Sequence, residues 1–470
     1  MVPKPIFHDI CSNNNYSLSL KTSYIHLFLI ASLATLMLYC TPKEELERMP
    51  TSGQVLRFSN DSIIFDTVFT GQLSVTRRIT VYNTSENAIT INEIRLAGAN
   101  SSYYSLYING LKSNMATNVF LRGNDSLLIL ATVTLDRTQS TLPFLVTDSL
   151  LFNIGSSQQK VYLTSWGRNA DYFRGDTIKT NTVWDSTAAK FIYKSIFIAQ
   201  SATLFIEKGT DVHLVKGATI VVAGSLQVSG DSGALVSFRG PRLEKSFDNI
   251  PGQWQGIVFL SGSKNNSIAF AEIKNAEIGL TLGDSAAKDG RASLNLTNTY
   301  IKNMNNSALV ATNAELISWN CEISNCANYG FKLGAEGTYK CFNNTFALYS
   351  YTFRRFGEAL FVTDGNRNVE LVNNIIWGEG YNNNELSFKK NETDVMLKNL
   401  TLSTTKALTS DTSNFWNINP KFKSEAESDF SLDSLSPAIS KAQVLTATFN
   451  NDIKGKTRGD KWDIGCYKYK

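Results

Sequence analysis

The chain has 470 residues, of which 43% are hydrophobic and 18% are charged, and its formal net charge is +4. This length allows two or three domains, and the hydrophobic content excludes general disorder. The charge excess is too small to predict a nucleic-acid partner.

The N-terminus carries an apolar run over residues 25–39 that stops at Cys40. The run has the length of a signal-peptide core and is short for a membrane span. Cys40 directly after it resembles the lipobox of bacterial lipoproteins, in which the cysteine is lipidated. The resemblance predicts a signal peptide over 1–39, lipidation of Cys40, a tether over 40–52 and attachment to the outer membrane or cell surface. Tyr39 replaces the small residue of that motif, so an uncleaved N-terminal anchor is the alternative.

Residues 53–169 show short segments rich in β-branched residues, separated by turn residues at 83–87, 123–125 and 155–157. Strands at this spacing predict an antiparallel β-sandwich. The run 77–83, followed by Ile89-x-Ile91, resembles the immunoglobulin-like modules of bacterial surface proteins. That resemblance implies a spacer module.

The segment 170–190 is polar apart from a few scattered apolar residues such as Trp184, and we expect it to be a connector. Short apolar pairs then follow one another almost without interruption, at 196–198, 204–206, 212–214, 220–222, 226–228 and 236–238. Glycines between them supply corners with positive φ.

The second half of the chain repeats an Asn-x-x-apolar unit at roughly 22–30-residue intervals. Its asparagines are Asn298, Asn320, Asn343, Asn373 and Asn399. A second apolar pair follows each of the earlier units. Such a unit buries its apolar side only by stacking on a copy of itself, as in a solenoid. No Leu-x-x-Leu-x-Leu run occurs, so the repeat predicts a β-helix rather than a leucine-rich repeat. Asparagine suits the corner because it tolerates the left-handed conformation and can hydrogen-bond the next asparagine.

The predicted fold is therefore all-β, with an immunoglobulin-like β-sandwich followed by a right-handed parallel β-helix over 191–410. Two insertions, 239–256 and 283–291, have no regular period. We expect them to project from coil corners, where solenoids carry function.

The C-terminus carries three motifs: Asn419-Pro420-x-Phe422, Ser436-Pro437-Ala438-Ile439 and Asp463-Ile464-Gly465-Cys466-Tyr467. They resemble the closing segment of right-handed parallel β-helix lipoproteins of bacterial surfaces. The resemblance implies that 411–470 closes the β-helix, which a solenoid needs because an open sheet edge invites other strands.

Histidine usage restricts the chemistry, because a chain starting at Cys40 keeps only His213. Triads and histidine-based metal sites then lose their central member. No Walker loop or dinucleotide fingerprint occurs, so the sequence predicts no cofactor and no metal. The cysteines after Cys40 are Cys321, Cys326, Cys341 and Cys466, which match no zinc spacing, and we expect free, half-buried thiols.

Carboxylate chemistry stays open, and the alternative function is an extracellular polysaccharide lyase or glycoside hydrolase of the β-helix type. Its candidate constellation is Arg354, Arg355, Glu358 and Asp364. The favoured function is a non-catalytic, membrane-anchored surface lipoprotein, expected to be a monomer, which binds glycan or acts as a structural or adhesion module.

The candidate glycan site follows from loop lengths at one corner of the repeat. The spacing from the first apolar pair to the second grows from 7 or 8 residues to 14 and then 10 in consecutive coils. Aromatic faces beside guanidinium groups at this corner suit sugars and their acidic substituents. The predicted glycan-binding residues are Tyr329, Tyr349, Tyr351, Arg354, Arg355, Trp377 and Tyr381. In the alternatives, these aromatics cover the coil, or the ligand binds near Arg242 and Trp254.

Overall fold

The computed structural model describes residues 56–470 except 99, 286–289, 350–353, 367, 380–383, 389–394, 399, 403–407, 409 and 446–449. Nearly all of its regular structure is β-strand, with two short 3-10 helices, Ser101–Tyr103 and Lys245–Phe247. The prediction of an all-β chain, with a sheet module followed by a parallel β-helix, is confirmed.

The N-terminal module consists of two five-stranded sheets that share one apolar core. The sheet orders are β1-β3-β8-β5-β6 and β2-β10-β9-β4-β7, and all pairs are antiparallel except β2 with β10. The strands are β1 (Leu56–Phe58), β2 (Ser62–Phe69), β3 (Arg77–Asn83), β4 (Ile89–Leu96), β5 (Tyr104–Ile108), β6 (Leu111–Lys112), β7 (Met115–Leu121), β8 (Ser126–Val133), β9 (Phe144–Ile154) and β10 (Ser157–Arg168). Alternate residues of the central strands point inward, as a half-buried sheet requires.

The solenoid consists of three parallel sheets of 11, 9 and 9 strands, here called sheets A, B and C. Sheet A contains β11 (Ala170–Arg174), β14 (Ala189–Lys194), β17 (Asp211–Leu214), β20 (Val236–Arg239), β23 (Ala271–Lys274), β26 (Tyr300–Met304), β29 (Glu322–Cys326), β32 (Thr345–Leu348), β35 (Ile375–Gly378), β38 (Thr401–Leu402) and β39 (Phe415–Trp416). Sheet B contains β12 (Thr177–Ile178), β15 (Ile196–Ile198), β18 (Thr219–Val222), β21 (Gly256–Phe259), β24 (Leu280–Leu282), β27 (Leu309–Ala311), β30 (Phe331–Leu333), β33 (Leu360–Val362) and β36 (Leu386–Phe388). Sheet C contains β13 (Thr182–Trp184), β16 (Thr203–Glu207), β19 (Ser225–Ser229), β22 (Asn266–Ala269), β25 (Ala292–Thr297), β28 (Ala314–Trp319), β31 (Thr338–Phe342), β34 (Asn368–Val372) and β37 (Val395–Lys398). A final antiparallel pair, β40 (Phe422–Ser424) with β41 (Asp429–Leu432), lies in the C-terminal segment.

The repeat read from the sequence gives the correct strand register. Ile301 pairs with Ile323, Ile323 with Phe346, and Phe346 with Ile376, and all four are fully buried. Four of the repeat asparagines, Asn298, Asn320, Asn343 and Asn373, adopt positive φ, as at Asn320 (52°), and Asn399 lies outside the described residues. Each coil therefore turns at a residue that tolerates the left-handed conformation at little cost.

The segment 170–190, expected to be a connector, forms the first coil of the solenoid instead. Its strands pair in parallel with those of the second coil. The physical reason lies in two residues, Ile178 and Trp184, which are buried in the solenoid core, with Trp184 against Phe173 (ring centroids 4.8 Å apart).

The sandwich and the solenoid share a small aromatic contact. Phe69 at the end of β2 lies against Phe191 of the solenoid, with ring centroids 4.6 Å apart. The Phe69 ring also lies 5.0 Å from the His213 ring of the solenoid, and Arg137 of the sandwich donates to Asp171 of the solenoid at 2.7 Å. The two modules therefore meet through packed side chains.

The insertion 239–256 folds back onto the solenoid at the corner between sheets A and B. Trp254 is fully buried, and its indole nitrogen donates to the Lys274 carbonyl at 2.8 Å. Asp248 accepts from the Lys274 ammonium at 2.6 Å and forms an ion pair with Arg239 at 3.2 Å. The insertion therefore projects from the coil corner less than expected, because the buried Trp254 and the ion pairs of Asp248 attach it to the solenoid.

The C-terminal segment lies along the outer face of sheet A and the asparagine corner. Ile453, Ile464 and Cys466 pack there with Ile375 of β35. The corner asparagines donate to main-chain carbonyls of this segment: Asn298 to Asp452 (2.7 Å), Asn320 to Asn451 (2.6 Å), Asn343 to Asp463 (3.2 Å) and Asn373 to Gln443 (2.9 Å). The C-terminal segment thus contacts the side of several successive coils. The sequence had predicted that it would cover the last coil.

Candidate functional site

The outer face of sheet C carries a groove of about 690 Å³ near the asparagine corner. One of its walls is the stretch 443–445, which Asn373 fixes through two hydrogen bonds to the main chain of Gln443, both 2.9 Å. The groove is lined by Asn295, Thr297, Ile317, Trp319, Phe342, Glu370, Val372, Met396, Lys398, Gln443 and Leu445. Its volume lies in the range of small-ligand sites.

The floor of the groove is built from two registered columns of outward-facing residues. In the first column, Asn295 pairs with Ile317, and two coils later Glu370 pairs with Met396. In such a column the coils repeat every 4.8 Å or so, so five coils span about 20 Å. Ile317 and Met396 keep 38% and 47% of their surface exposed, which places apolar atoms at the open side of the groove.

The second column places aromatic rings beside that first column. Trp319 pairs with Phe342, and their ring centroids lie 4.9 Å apart at an interplanar angle of 49°. Polar groups surround the rings, since Glu370 forms an ion pair with Lys340 at 3.0 Å and the half-buried Lys398 lies at the groove's end. The lining therefore combines an apolar platform with amide, carboxylate and ammonium groups.

The predicted corner between sheets A and B brings some of its residues together. The Tyr329 ring lies 5.3 Å from the Phe361 ring and 5.6 Å from the Lys332 ammonium. The main chain at Gly357 lies against Tyr329, because a Cβ added to Gly357 would be 2.7 Å from the Tyr329 ring. The two consecutive corner loops are therefore in contact. Partial burial, followed by the charge of Glu358, raises the pKa of Tyr329.

Arg354 is exposed at this corner, with its guanidinium 5.8 Å from the ring of Phe356, which is 72% exposed. Arg355 differs, because it is buried, donates to the Gly357 carbonyl at 2.7 Å and forms an ion pair with Glu385. Arg355 therefore ties two corner loops together and offers no surface to a ligand.

Two predicted aromatics turn toward the C-terminal segment. Tyr349 is 5% exposed, stacks on Phe430 at 5.9 Å and donates to Glu425 at 2.9 Å. Trp377 is half-buried against the same cluster. Both side chains cover the coil, as the alternative interpretation expected. Tyr351, Tyr381 and the lipidation residue Cys40 lie outside the described residues.

The residues of the enzyme alternative do not surround one cavity. Arg354 precedes β33 at the corner between sheets A and B, whereas Asp364 follows β33 and is exposed at the next corner. Of the insertion residues, Arg242 is engaged by Glu244 (2.7 Å), and Trp254 has no exposed surface. Among the described residues that line the groove, Glu370 is the one carboxylate, and it forms an ion pair with Lys340.

His213 is buried at the contact between the two modules. Its Nδ1 donates to the Gly240 carbonyl at 3.2 Å. Burial lowers the pKa of His213 to about 4, although the nearby Asp211 carboxylate opposes this shift. His213 is therefore a neutral packing residue at neutral pH.

Cys321, Cys326, Cys341 and Cys466 are free thiols, as expected, but all four are fully buried rather than half-buried. Burial raises the pKa values of Cys321 and Cys326 to about 12, which keeps them protonated and unreactive. Within the described residues, no group of three or more His, Cys, Asp or Glu side chains is arranged to hold a metal ion. The same part of the chain contains no helix with the length and hydropathy of a membrane span.

Sequence reasoning missed the groove because it aligned the strands of sheets A and B and left the third strand of each later coil unaligned. Aligning that strand would have placed Ile317, Glu370 and Met396 in one outward column. The wall formed by 443–445 has no comparable signal, since it depends on a contact with Asn373, 70 residues earlier.

No protein-family profile matches the chain, and a search of curated proteins finds no match. Three solved structures give alignments with a TM-score of 0.18 each. A protein of unknown function from Porphyromonas gingivalis W83 is 13% identical, over 27% of this chain and 60% of its own. A family 123 glycoside hydrolase from Clostridium perfringens is 6% identical, over 25% and 26% of the two chains. A PapD-like domain of human CEP192 is 12% identical, over 28% and 99%. This chain thus spans about 60% of the first structure, and alignments with this score carry no argument about its function.

Proposed function

We propose that this protein is a lipid-anchored binding protein of the extracytoplasmic surface, which holds a glycan chain in the groove on sheet C. The proposal rests mainly on the two columns of outward-facing residues on sheet C. In them, the exposed Ile317 and Met396 lie beside the Trp319–Phe342 ring pair and polar side chains. The anchor rests on the apolar run that ends at Cys40.

Sugars fit this lining because each ring has an apolar C–H face and a polar rim of hydroxyl groups. The C–H face can pack on Phe342, while Asn295, Gln443 and Glu370 offer donors and acceptors to hydroxyls. The groove runs over about five coils of a rigid sheet, so its groups are positioned before a ligand arrives.

An extended peptide fits the groove less well than a glycan. Peptides that add to sheets use the free main-chain groups of an edge strand. The groove lies on a sheet face, where β28 and β31 are each paired on both sides, so recognition must come from side chains.

The test is a glycan array with the full-length chain in detergent, followed by titration of the binding glycan against single variants. Phe342→Ala should weaken binding by about two- to twelvefold, because stacking on one ring contributes on the order of 0.5–1.5 kcal/mol. The matched control is Phe205→Ala, because Phe205 is an exposed phenylalanine of sheet C outside the groove lining and should not affect binding.

Three results would count against the proposal: no array signal, equal losses in both variants, or loss in Tyr329→Ala with none in Phe342→Ala. The last result would move the site to the predicted corner. New reducing ends or unsaturated products in the same incubations would favour the polysaccharide-degrading alternative.

A further inference from the structure

A second cavity, of about 280 Å³, lies in the C-terminal segment and shares no lining residue with the groove. We call it the lysine cavity, because its lining includes Lys423, Lys454, Lys456, Lys468 and Lys470. The acidic side chains of the lining are Asp433 and Asp452, so the side chains of the lining carry a net charge of 5 − 2 = +3.

Asp452 organises the lysine cavity through its two carboxylate oxygens. Its Oδ1 accepts from the main-chain nitrogens of Lys454 (2.9 Å) and Lys456 (2.7 Å), and its Oδ2 accepts from that of Lys468 (2.9 Å). Asp452 is 1% exposed. The carboxylate is thus occupied by the main chain, and it fixes three lysines around one point.

The five ammonium groups form no ion pair with any carboxylate of the described residues. Neighbouring aromatic and carbonyl groups orient three of them: Lys454 lies 5.1 Å from the Tyr467 ring, Lys470 lies 5.3 Å from the Tyr469 ring, and Lys468 donates to a carbonyl at 2.7 Å. The five lysines therefore surround the cavity with no carboxylate at ion-pair distance, and the Asp429 carboxylate, which interacts electrostatically with Lys423 and Lys454, offsets only part of their charge.

Like charges concentrated around a concave surface raise the local potential and attract anions. Ammonium groups act as point charges, which suit phosphate, sulfate or carboxylate groups in several orientations. A cavity of 280 Å³ is small for a ligand site, so it fits a compact ligand rather than a broad surface.

We propose that the lysine cavity binds an acidic saccharide, with two or more anionic substituents on one or two neighbouring sugars. Carboxylate, sulfate or phosphate groups would contact the ammonium groups, and the Tyr469 ring would contact the sugar. This site does not depend on the groove, and a neutral glycan in the groove is compatible with it.

The experiment is calorimetric titration of the full-length chain in detergent with trigalacturonate, a sulfated tetrasaccharide and neutral cellotetraose. At least one acidic probe should bind, and cellotetraose should not bind at this cavity. Affinity should fall as salt rises from about 0.05 M to about 0.5 M, because the lysines are largely exposed.

The test variant is Lys454→Glu with Lys456→Glu, and the matched control is Lys441→Glu with Lys461→Glu, which changes the same charge at exposed lysines outside the lining. The test variant should lose about tenfold or more in affinity for the acidic probe, and the control less than about threefold. If the charge reversal lowers the melting temperature, Lys454→Gln with Lys456→Gln replaces it, since the main-chain donors to Asp452 remain.

If the test and control variants lose equal affinity for the acidic probe, binding depends only on the net charge of the protein, and the proposal is overturned. No binding of either acidic probe, or equal binding of cellotetraose that the test variant abolishes, would overturn it as well. Phe342→Ala should leave the acidic probes unaffected, which separates a failure at the groove from one at the lysine cavity.

Discussion

The guanidinium of Arg458 donates a hydrogen bond to the side-chain oxygen of Asn320, which lies 138 positions earlier in the chain (2.8 Å). Arg458 is 2% exposed and also donates to the carbonyls of Asp463 and Gly465. A corner asparagine of the repeat thus anchors the C-terminal segment. The two parts of the chain should therefore unfold together.

Asn320→Ala should destabilise the protein by about 2–4 kcal/mol, because it removes the bonds to Arg458 and Asn451 and places alanine at a φ of 52°. Asn320→Gly also removes the hydrogen bonds but tolerates the left-handed conformation, so it should lose less stability than Asn320→Ala. The difference between the two variants separates the cost of the lost hydrogen bonds from the cost of the backbone conformation. Urea unfolding measures both. A change below about 0.5 kcal/mol in the alanine variant would contradict this role.

Ile323→Ala and Phe346→Ala should each cost about 2–5 kcal/mol, because both side chains are fully buried in the stacked core. The control is Ile317→Ala, at a position 38% exposed on the outer face of sheet C, where we expect about 0.5 kcal/mol. Chemical denaturation of the three variants gives the comparison. Similar losses at all three positions would disprove the inward register.

Protonation of His213 should weaken the contact between the sandwich and the solenoid. The folded-state pKa is about 4 and the ordinary value is 6.5, so the unfolded chain binds the proton first as pH falls. Stability is then present above pH 6.5 and is lost toward pH 4, by about 3 kcal/mol in total. Measuring the free energy of unfolding of wild type and His213→Phe between pH 4 and 7.5 isolates the part of the pH dependence that is due to His213. If the stability of the two proteins falls equally with pH, protonation of His213 does not weaken the contact.

Arg355→Met should cost about 3–5 kcal/mol, because it leaves the Glu385 carboxylate buried without its ion pair. The double variant Arg355→Met with Glu385→Met should regain most of that lost stability, since neither charge of the buried pair then remains. Thermal melts of the single and double variants test the coupling. A double variant as unstable as the sum of both singles would show that the pair is not coupled.

Cys40→Ser should prevent lipidation, so the protein should be released or accumulate as an unprocessed precursor. Fractionation of cells that express each form, with mass spectrometry of the N-terminus, gives the answer. A serine variant that stays in the membrane at mature size would exclude the lipoprotein interpretation.

The sequence alone was sufficient for features that are local or strictly periodic. Positive φ at Asn298, Asn320 and Asn343 follows from the residue type and its place in the repeat. The inward direction of Ile323 and Phe346 follows from the period of two along each strand. The first coil escaped detection because Ile178 and Trp184 are too sparse to form a visible repeat.

The tertiary structure alone decided which surface groups meet. Lys454 and Lys468 converge because a buried carboxylate binds both main chains, and the wall of the groove exists because Gln443 hydrogen-bonds Asn373. Tyr349 resembles a surface aromatic in the sequence, yet the folded C-terminal segment covers it. Periodicity fixes which way a side chain points from its own strand, whereas these contacts depend on where a distant segment packs, and no local pattern encodes that.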